Sequence, residues 1–250
     1  MIYTPTPIHD IYTHSKSNHT LGRHQPGQSH PWPSQCPACA SQCDPYSDHF
    51  FKCRSGFQWI HRHNALVSAF ARIAREAKAD VRKEQLVRNY GVSLQQFTTK
   101  KRMDLVVRMP DGAQTFLDVS VTHPCHRDDP GRRENRTNQT SGAALRAAEA
   151  DKIRKYGDIA NQTGFSFISL ACETFGRWSP ATETFLHKLA KGVRENHYKN
   201  DPSMSTGLIV SRWWCVPSIA LKRYNAWLVS AKTNPDKKTD TTRPFPADEV

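Results

Sequence analysis

Arg102-Met103-Asp104-Leu105-Val106-Val107-Arg108-Met109 runs into Pro110-Asp111-Gly112 and returns as Ala113-Gln114-Thr115-Phe116-Leu117-Asp118-Val119-Ser120-Val121. Each arm alternates. Leu105, Val107 and Met109 share one face of the first, and Leu117, Val119 and Val121 share one face of the second. Pro110-Asp111-Gly112 suits a three-residue hairpin loop, with proline pre-set for a type I turn and Gly112 in the left-handed position. Such a loop pairs Met109 with Ala113 and, counting back, Asp104 with Asp118. A two-residue loop would put Asp118 beside Leu105 and mix polar with apolar faces. Two carboxylates then face each other about 5 Å apart at Cβ, an arrangement that destabilises unless a cation lies between them. A divalent metal is the natural candidate, and solvated aspartates on a surface hairpin are the alternative.

Phosphodiester hydrolysis needs such a site, because a metal activates water and stabilises charge on the phosphate, and Mg²⁺ is held by one or two carboxylates. Glu84, on a preceding strand expected over Val81–Val87, is a candidate third acid or an ordinary surface side chain. A helix is expected from Ala143 to Ala160. At 100° per residue it places Leu145, Ala148, Lys152, Tyr156 and Ile159 on one stripe. Lys152 falls mid-stripe, where two sheet carboxylates would partner it; the alternative is a lysine that snorkels to solvent. Lys155 lies at the stripe's edge.

Upstream, Cys36-x2-Cys39-x9-His49-x3-Cys53 matches a closed tetrahedral zinc site, with three thiolates and one imidazole in two short-spaced pairs. Cys43 could replace Cys39 or His49. The long helix that follows is patterned by Ile60, Leu66, Val67, Phe70, Ile73, Ala74 and Ala77. It opens on His61-Arg62-His63-Asn64, whose Arg62 and Asn64 either clamp a phosphate or hold the knuckle against the core.

The 250 residues carry 35 Lys and Arg against 23 Asp and Glu, a net charge of +12. That excess favours a polyanionic partner, nucleic acid being the commonest. No apolar run has the length of a membrane span, and residues 1–35 lack a signal-peptide core. The expected organisation is a disordered arm (1–35), a zinc knuckle (36–58), an α/β core (59–200), a helical extension (201–231) in which Pro217 should break or kink the helix, and a disordered tail (232–250). Within the polar stretch from His123 to Gly142, Arg132 and Arg133 are candidate phosphate contacts. Phe165–Cys172 reads as a strand, and Ser179-Pro180 opens a further helix with serine as N-cap.

In this order the pieces resemble the carboxy-terminal part of site-specific non-LTR retrotransposon polyproteins. The resemblance rests on Cys36, Cys39, His49 and Cys53, on Arg62-His63-Asn64, on Asp104-Leu105-Val106-Val107, on Leu117-Asp118-Val119 and on Lys152-Ile153-Arg154-Lys155-Tyr156. Glu173-Thr174-Phe175-Gly176-Arg177 is also similar. It implies a restriction-endonuclease-like PD-(D/E)xK core: helix, three-stranded antiparallel meander, helix, strand. It further implies nicking of nuclear target DNA with Mg²⁺ or Mn²⁺. By the same resemblance Asp104 and Asp118 are metal ligands; Lys152 is expected to stabilise charge or position the attacking water, Lys155 and Arg62 to assist with phosphate, and His63 to lie with Arg62 among the nucleic-acid contacts. Element RNA and a reverse transcriptase are the further implied partners. Met103 stands where the motif prefers proline. Ser120 stands where the superfamily has its lysine, which this branch moves to the following helix, as the Lys152 projection finds independently. No Tyr-x-Asp-Asp signature is present, so the expectation is an endonuclease piece, a truncated element or a domesticated copy. A non-catalytic nucleic-acid-binding module is the competing reading, and a zinc-stabilised protein-interaction domain a weaker one.

Overall fold

The Pro110-Asp111-Gly112 loop closes in the expected register: Met109 N–H donates to Ala113 O at 2.8 Å and Gly112 N–H to Met109 O at 2.9 Å. Gly112 has φ 88°, the left-handed backbone that glycine adopts without a Cβ penalty. The structure is a computed structural model and describes residues 33–43, 48–91, 101–125 and 140–233. Most of the expected disordered arm and tail lies outside the described residues, as do Arg132 and Arg133.

The elements run α1 (Asp48–Lys52), α2 (Gln58–Glu76), β1 (Asp80–Leu86), a 3₁₀ turn (Val87–Tyr90), β2 (Arg102–Arg108), β3 (Gln114–Thr122), α3 (Ala143–Thr163), β4 (Ser166–Glu173), α4 (Pro180–His197) and α5 (Thr206–Thr233). The mixed sheet has the order β1-β2-β3-β4. Its first three strands form an antiparallel meander. β4 pairs parallel to β3, with Asp118 opposite Ser169, after the α3 crossover that a parallel connection requires.

Both faces of the sheet are covered. On one, Leu105, Val107, Leu117, Val119 and Leu170 pack against Leu66, Phe70 and Ile73 of α2, Leu186 and Leu189 of α4, and Trp213, Leu221 and Tyr224 of α5. On the other, Val106 and Phe116 pack against Tyr156, Ile159 and Ala160 of α3. Leu105, Val107, Leu117 and Val119 thus lie on a common face, as the alternation predicts. The sequence understated the opposite face, which α3 buries. α5 shares the larger core with α2 and α4 instead of hanging from it.

Two boundaries differ from expectation. Pro217 does not break α5: the helix runs continuously from Thr206 to Thr233 with Pro217 buried inside it. One missing N–H is outweighed there by buried Trp213, Ala220, Leu221, Tyr224 and Leu228 on either side. α3 continues past Ala160 to Thr163 and stops where Gly164, at φ 70°, takes the left-handed cap. The start of α4 is as expected, with Ser179 Oγ accepting from Thr182 N–H at 3.3 Å and Pro180 in the first turn.

Residues 36–43 and 48–53 are fixed onto this core by polar contacts as well as apolar ones. Phe50 is fully buried and clusters with Cys36, Cys53 and Val229 of α5. Arg62 is buried; its guanidinium donates to Asn225 Oδ1 at 2.8 Å and to Phe51 O at 3.4 Å. Asn225 Nδ2 donates in turn to Thr174 O at 2.7 Å. Of the two alternatives for Arg62, this is the one that holds the knuckle against the core; the side chain is not presented to a phosphate.

Arg62→Ala should therefore act on stability. Losing a charged donor and leaving Asn225 Oδ1 unpaired should cost about 2–3 kcal/mol. The expected outcome is a lower urea midpoint than that of the wild type.

Candidate metal centres

The first centre is built by a tight turn and a short helix. Cys36 O accepts from Cys39 N–H at 3.3 Å and from Ala40 N–H at 2.8 Å, and Ala40 takes φ 59° to bring the chain round. α1 sets His49 one turn before Cys53, whose N–H donates to His49 O at 2.8 Å. Cys36 Sγ and Cys53 Sγ are 3.9 Å apart, Cys53 Sγ and Cys39 Sγ 3.7 Å, and Cys39 Sγ lies 3.2 Å from His49 Nε2. Tetrahedral zinc with Zn–S bonds of about 2.3 Å sets its sulfurs about 3.8 Å apart. The cluster has that size, and these four residues could hold zinc.

Cys39 is already acidic. Burial pushes its thiol up, but hydrogen bonds from Ser41 and from Cys36 and Cys53 outweigh that and bring it down to about 6. The shift is toward the thiolate, the ligating form. Cys43 lies outside the four-residue group, 4.0 Å from Ser41 O, so neither substitution left open by the spacing is needed.

The second centre lies where the sheet meets α2 and α3. Asp118, next but one to Phe116 on β3, is buried on the α3 side, and Lys152 Nζ stands 2.6 Å from its Oδ2. Lys152 thus turns inward, as its mid-stripe position predicts. Lys155 instead lies over the ring of Tyr156, its amine 4.6 Å from the centroid. Burial raises Asp118 above the usual carboxylate range and the Asp104 charge adds to this, while Lys152 and His63 oppose it. Burial also raises Tyr156, beneath the two lysines, to about 12, with the negative charge of Asp118 contributing.

Asp104 continues the β2–β3 register opposite Asp118, but the regular pairing ends at Leu105 and Leu117. The Asp104 carboxylate takes over there: its Oδ2 accepts from Val119 N–H at 2.7 Å. Its Oδ1 is 3.4 Å from His63 Nε2. Glu84 joins from β1, and His63, Glu84 and Asp104 each offer a ligand atom within 4.8 Å of the others. The two aspartates therefore have different immediate partners, Lys152 for Asp118 and His63 with Glu84 for Asp104.

His63 is the member that the hairpin argument missed. The signal was present: counting by three and four, His63 precedes Leu66, Phe70, Ile73 and Ala77 on the stripe of α2 that turns to the sheet. Burial alone would lower its pKa, but the hydrogen bond and charge of Asp104, with Asp118 and Glu84, raise it.

A third group, Asp48, His123 and Cys125, is buried between the knuckle and the end of β3. His123 Nε2 is 3.0 Å from Asp48 Oδ1, its Nδ1 is 2.7 Å from Thr174 Oγ1, and Phe51 stacks on its ring. The three group members come from two stretches of chain 75 positions apart, and no sequence spacing announces them.

No family model matches the sequence, and no curated protein is significantly similar to it. Among the described residues, no helix is long and apolar enough to cross a membrane.

Reduced, purified protein should carry about one zinc per chain at the cysteine cluster by elemental analysis. Cys43→Ser should keep it, and Cys53→Ser should lose it along with the packing of Phe50.

Proposed function

We propose that the chain is a metal-dependent DNA endonuclease that nicks target DNA by phosphodiester hydrolysis. The observation that carries this reading is the convergence of Asp104 and Asp118, on adjacent strands, with the Lys152 amine 2.6 Å from Asp118 on the helix covering them. Titratable groups that perturb one another at a strand end are a recurrent mark of reaction centres. The element order supports a restriction-like PD-(D/E)xK core, since a helix, three antiparallel strands, a helix and a parallel strand follow in sequence. The resemblance to retrotransposon polyproteins gives the same core, a nuclear DNA target and, in a full-length element, a reverse transcriptase and element RNA as partners. The net charge of +12 supports the polyanion.

Asp104, with Asp118 alongside, would hold Mg²⁺ or Mn²⁺, which when bound supplies an activated water and positive charge at the phosphate. The rest of the chemistry belongs to side chains. Val119 N–H holds the Asp104 carboxylate in place. Lys152 opposes the burial that raises the Asp118 carboxyl and would be the cation beside the charge developing on the phosphate. Lys155, stacked on Tyr156 at the exposed side, would assist binding of the DNA backbone and not the reacting group. The zinc knuckle is a structural element docked beside this site.

One observation favours a second reading. Lys152 and Asp118 form a direct ion pair, Nζ 2.6 Å from Oδ2. If that pair only stabilises the sheet, the chain is a non-catalytic nucleic-acid-binding module.

Nicking of supercoiled plasmid decides between the two. Asp104→Ala or Asp118→Ala should abolish metal-dependent nicking while retaining binding, because removing an acid from a basic protein does not weaken its attraction to DNA. Lys152→Ala should lose far more activity than Lys155→Ala. Wild-type protein that binds duplex DNA but never nicks it with either metal would establish the binding module. Binding itself should weaken steeply between low and physiological salt as phosphate counterions are released, and a flat log–log salt plot would point to a partner other than nucleic acid.

A further inference from the structure

We propose that His63 is a ligand of the cation at the Asp104 site, forming with Asp104 and Glu84 a mixed imidazole–carboxylate centre that takes a first-row transition cation, Mn²⁺ being the probe, in preference to Mg²⁺. The inference deepens the nuclease reading and rests on it for its role, although the binding site can be tested alone.

Three elements supply the three ligands: α2 gives His63, β1 gives Glu84 and β2 gives Asp104. Adjacent ligands of an octahedral ion with bonds of about 2.1 Å lie about 3.0 Å apart, and opposite ones about 4.2 Å apart. The 3.4 Å from His63 Nε2 to Asp104 Oδ1 is close to the adjacent separation, and no two of the three ligand atoms are more than 4.8 Å apart.

Each ligand is also positioned. Asp104 Oδ2 is tied to Val119 N–H, which leaves Oδ1 toward His63. His63 continues the buried stripe of α2, anchored by fully buried Leu66, Phe70 and Ile73. Glu84 has φ 52°, a left-handed backbone that is strained for a residue with a Cβ. It is the one position within β1 left out of the β1–β2 register, where Lys83 pairs with Leu105 and Gln85 with Met103. The kink occurs at the residue whose carboxylate joins the group. Asp118 lies against Lys152, so the nitrogen ligand comes from α2 to join Asp104 and Glu84.

The metal preference follows from ligand chemistry. Mg²⁺ dehydrates reluctantly and selects oxygen, whereas imidazole favours transition cations. A hydrogen bond between His63 and Asp104 with no metal role is the competing account, and it forecasts different spectra.

The experiment uses zinc-loaded full-length chain and follows Mn²⁺ binding by paramagnetic resonance, with Mg²⁺ as competitor. Mn²⁺ should bind at least about ten-fold more tightly than Mg²⁺. His63→Ala should weaken Mn²⁺ about ten-fold or more, since disturbing even an outer-shell partner of a metal typically costs about ten- to a hundred-fold. Its Mg²⁺ affinity should change by no more than about two-fold, the nitrogen ligand mattering little to a cation that selects oxygen. Electron spin-echo modulation from an imidazole nitrogen should be present in wild type, change on ¹⁵N-histidine labelling and vanish in His63→Ala.

Glu84→Asn tests the second ligand, because asparagine tolerates the left-handed backbone. Its melting temperature should hold or rise while Mn²⁺ affinity falls. Mn²⁺ bound to wild type without nitrogen modulation, or with unchanged affinity in His63→Ala, overturns the proposal. The nuclease reading fails separately: His63-dependent Mn²⁺ binding without nicking keeps this centre and removes the endonuclease. Equal nicking with both metals in wild type and His63→Ala keeps the endonuclease and removes this centre.

Discussion

The three-residue closure of the β2–β3 hairpin is the constraint on which the rest of the structure depends. Strand side chains alternate with a period of two, so shifting the register by one residue would exchange the faces of every position on β3 relative to β2. With Met109 held to Ala113, Leu105, Val107, Leu117 and Val119 meet α2, α4 and α5, while Val106 and Phe116 meet α3. The same register sets Asp104 and Asp118 at one end of the hairpin, where the ladder gives way to a carboxylate. One turn thus fixes the core and the chemistry together, and neither can slip without the other.

Burial gives the site its character. Because α3 covers the second face, Asp118 is withdrawn from water and its charge becomes costly unless compensated. Lys152 supplies that compensation from the covering helix. Asp104 has His63, so the two aspartates are held by basic side chains from two different helices. A cluster arranged in this way keeps several ionisable groups in mutual contact, each shifting its neighbours.

The zinc cluster and this site are physically joined. α1 carries His49, one of the four residues that could hold zinc, and its neighbour Asp48 reaches His123 just beyond the end of β3, the strand that bears Asp118. His123 also bonds to Thr174, whose carbonyl accepts from Asn225, the partner of Arg62 on α2. The knuckle is therefore seated on the strand and helix that position the site, through polar groups that require defined geometry.

By itself the sequence determined what local periodicity and turn chemistry can determine: the hairpin and its register, the inward turn of Lys152, the Ser179 cap, and the four residues that could hold zinc. Each rests on contacts within a few residues or on one repeating period. The tertiary structure decided what depends on distant partners. Pro217 stays helical because the side chains around it are buried. Arg62 faces inward because Asn225, 163 positions later, meets it there. Lys155 is drawn onto the ring of Tyr156, and His63 and Glu84 reach Asp104 only once α2 has packed on the sheet and β1 has kinked at its one left-handed residue. Which charges share a site was thus decided by packing between elements, because desolvation and Coulomb attraction act through space and leave no periodic trace along the chain.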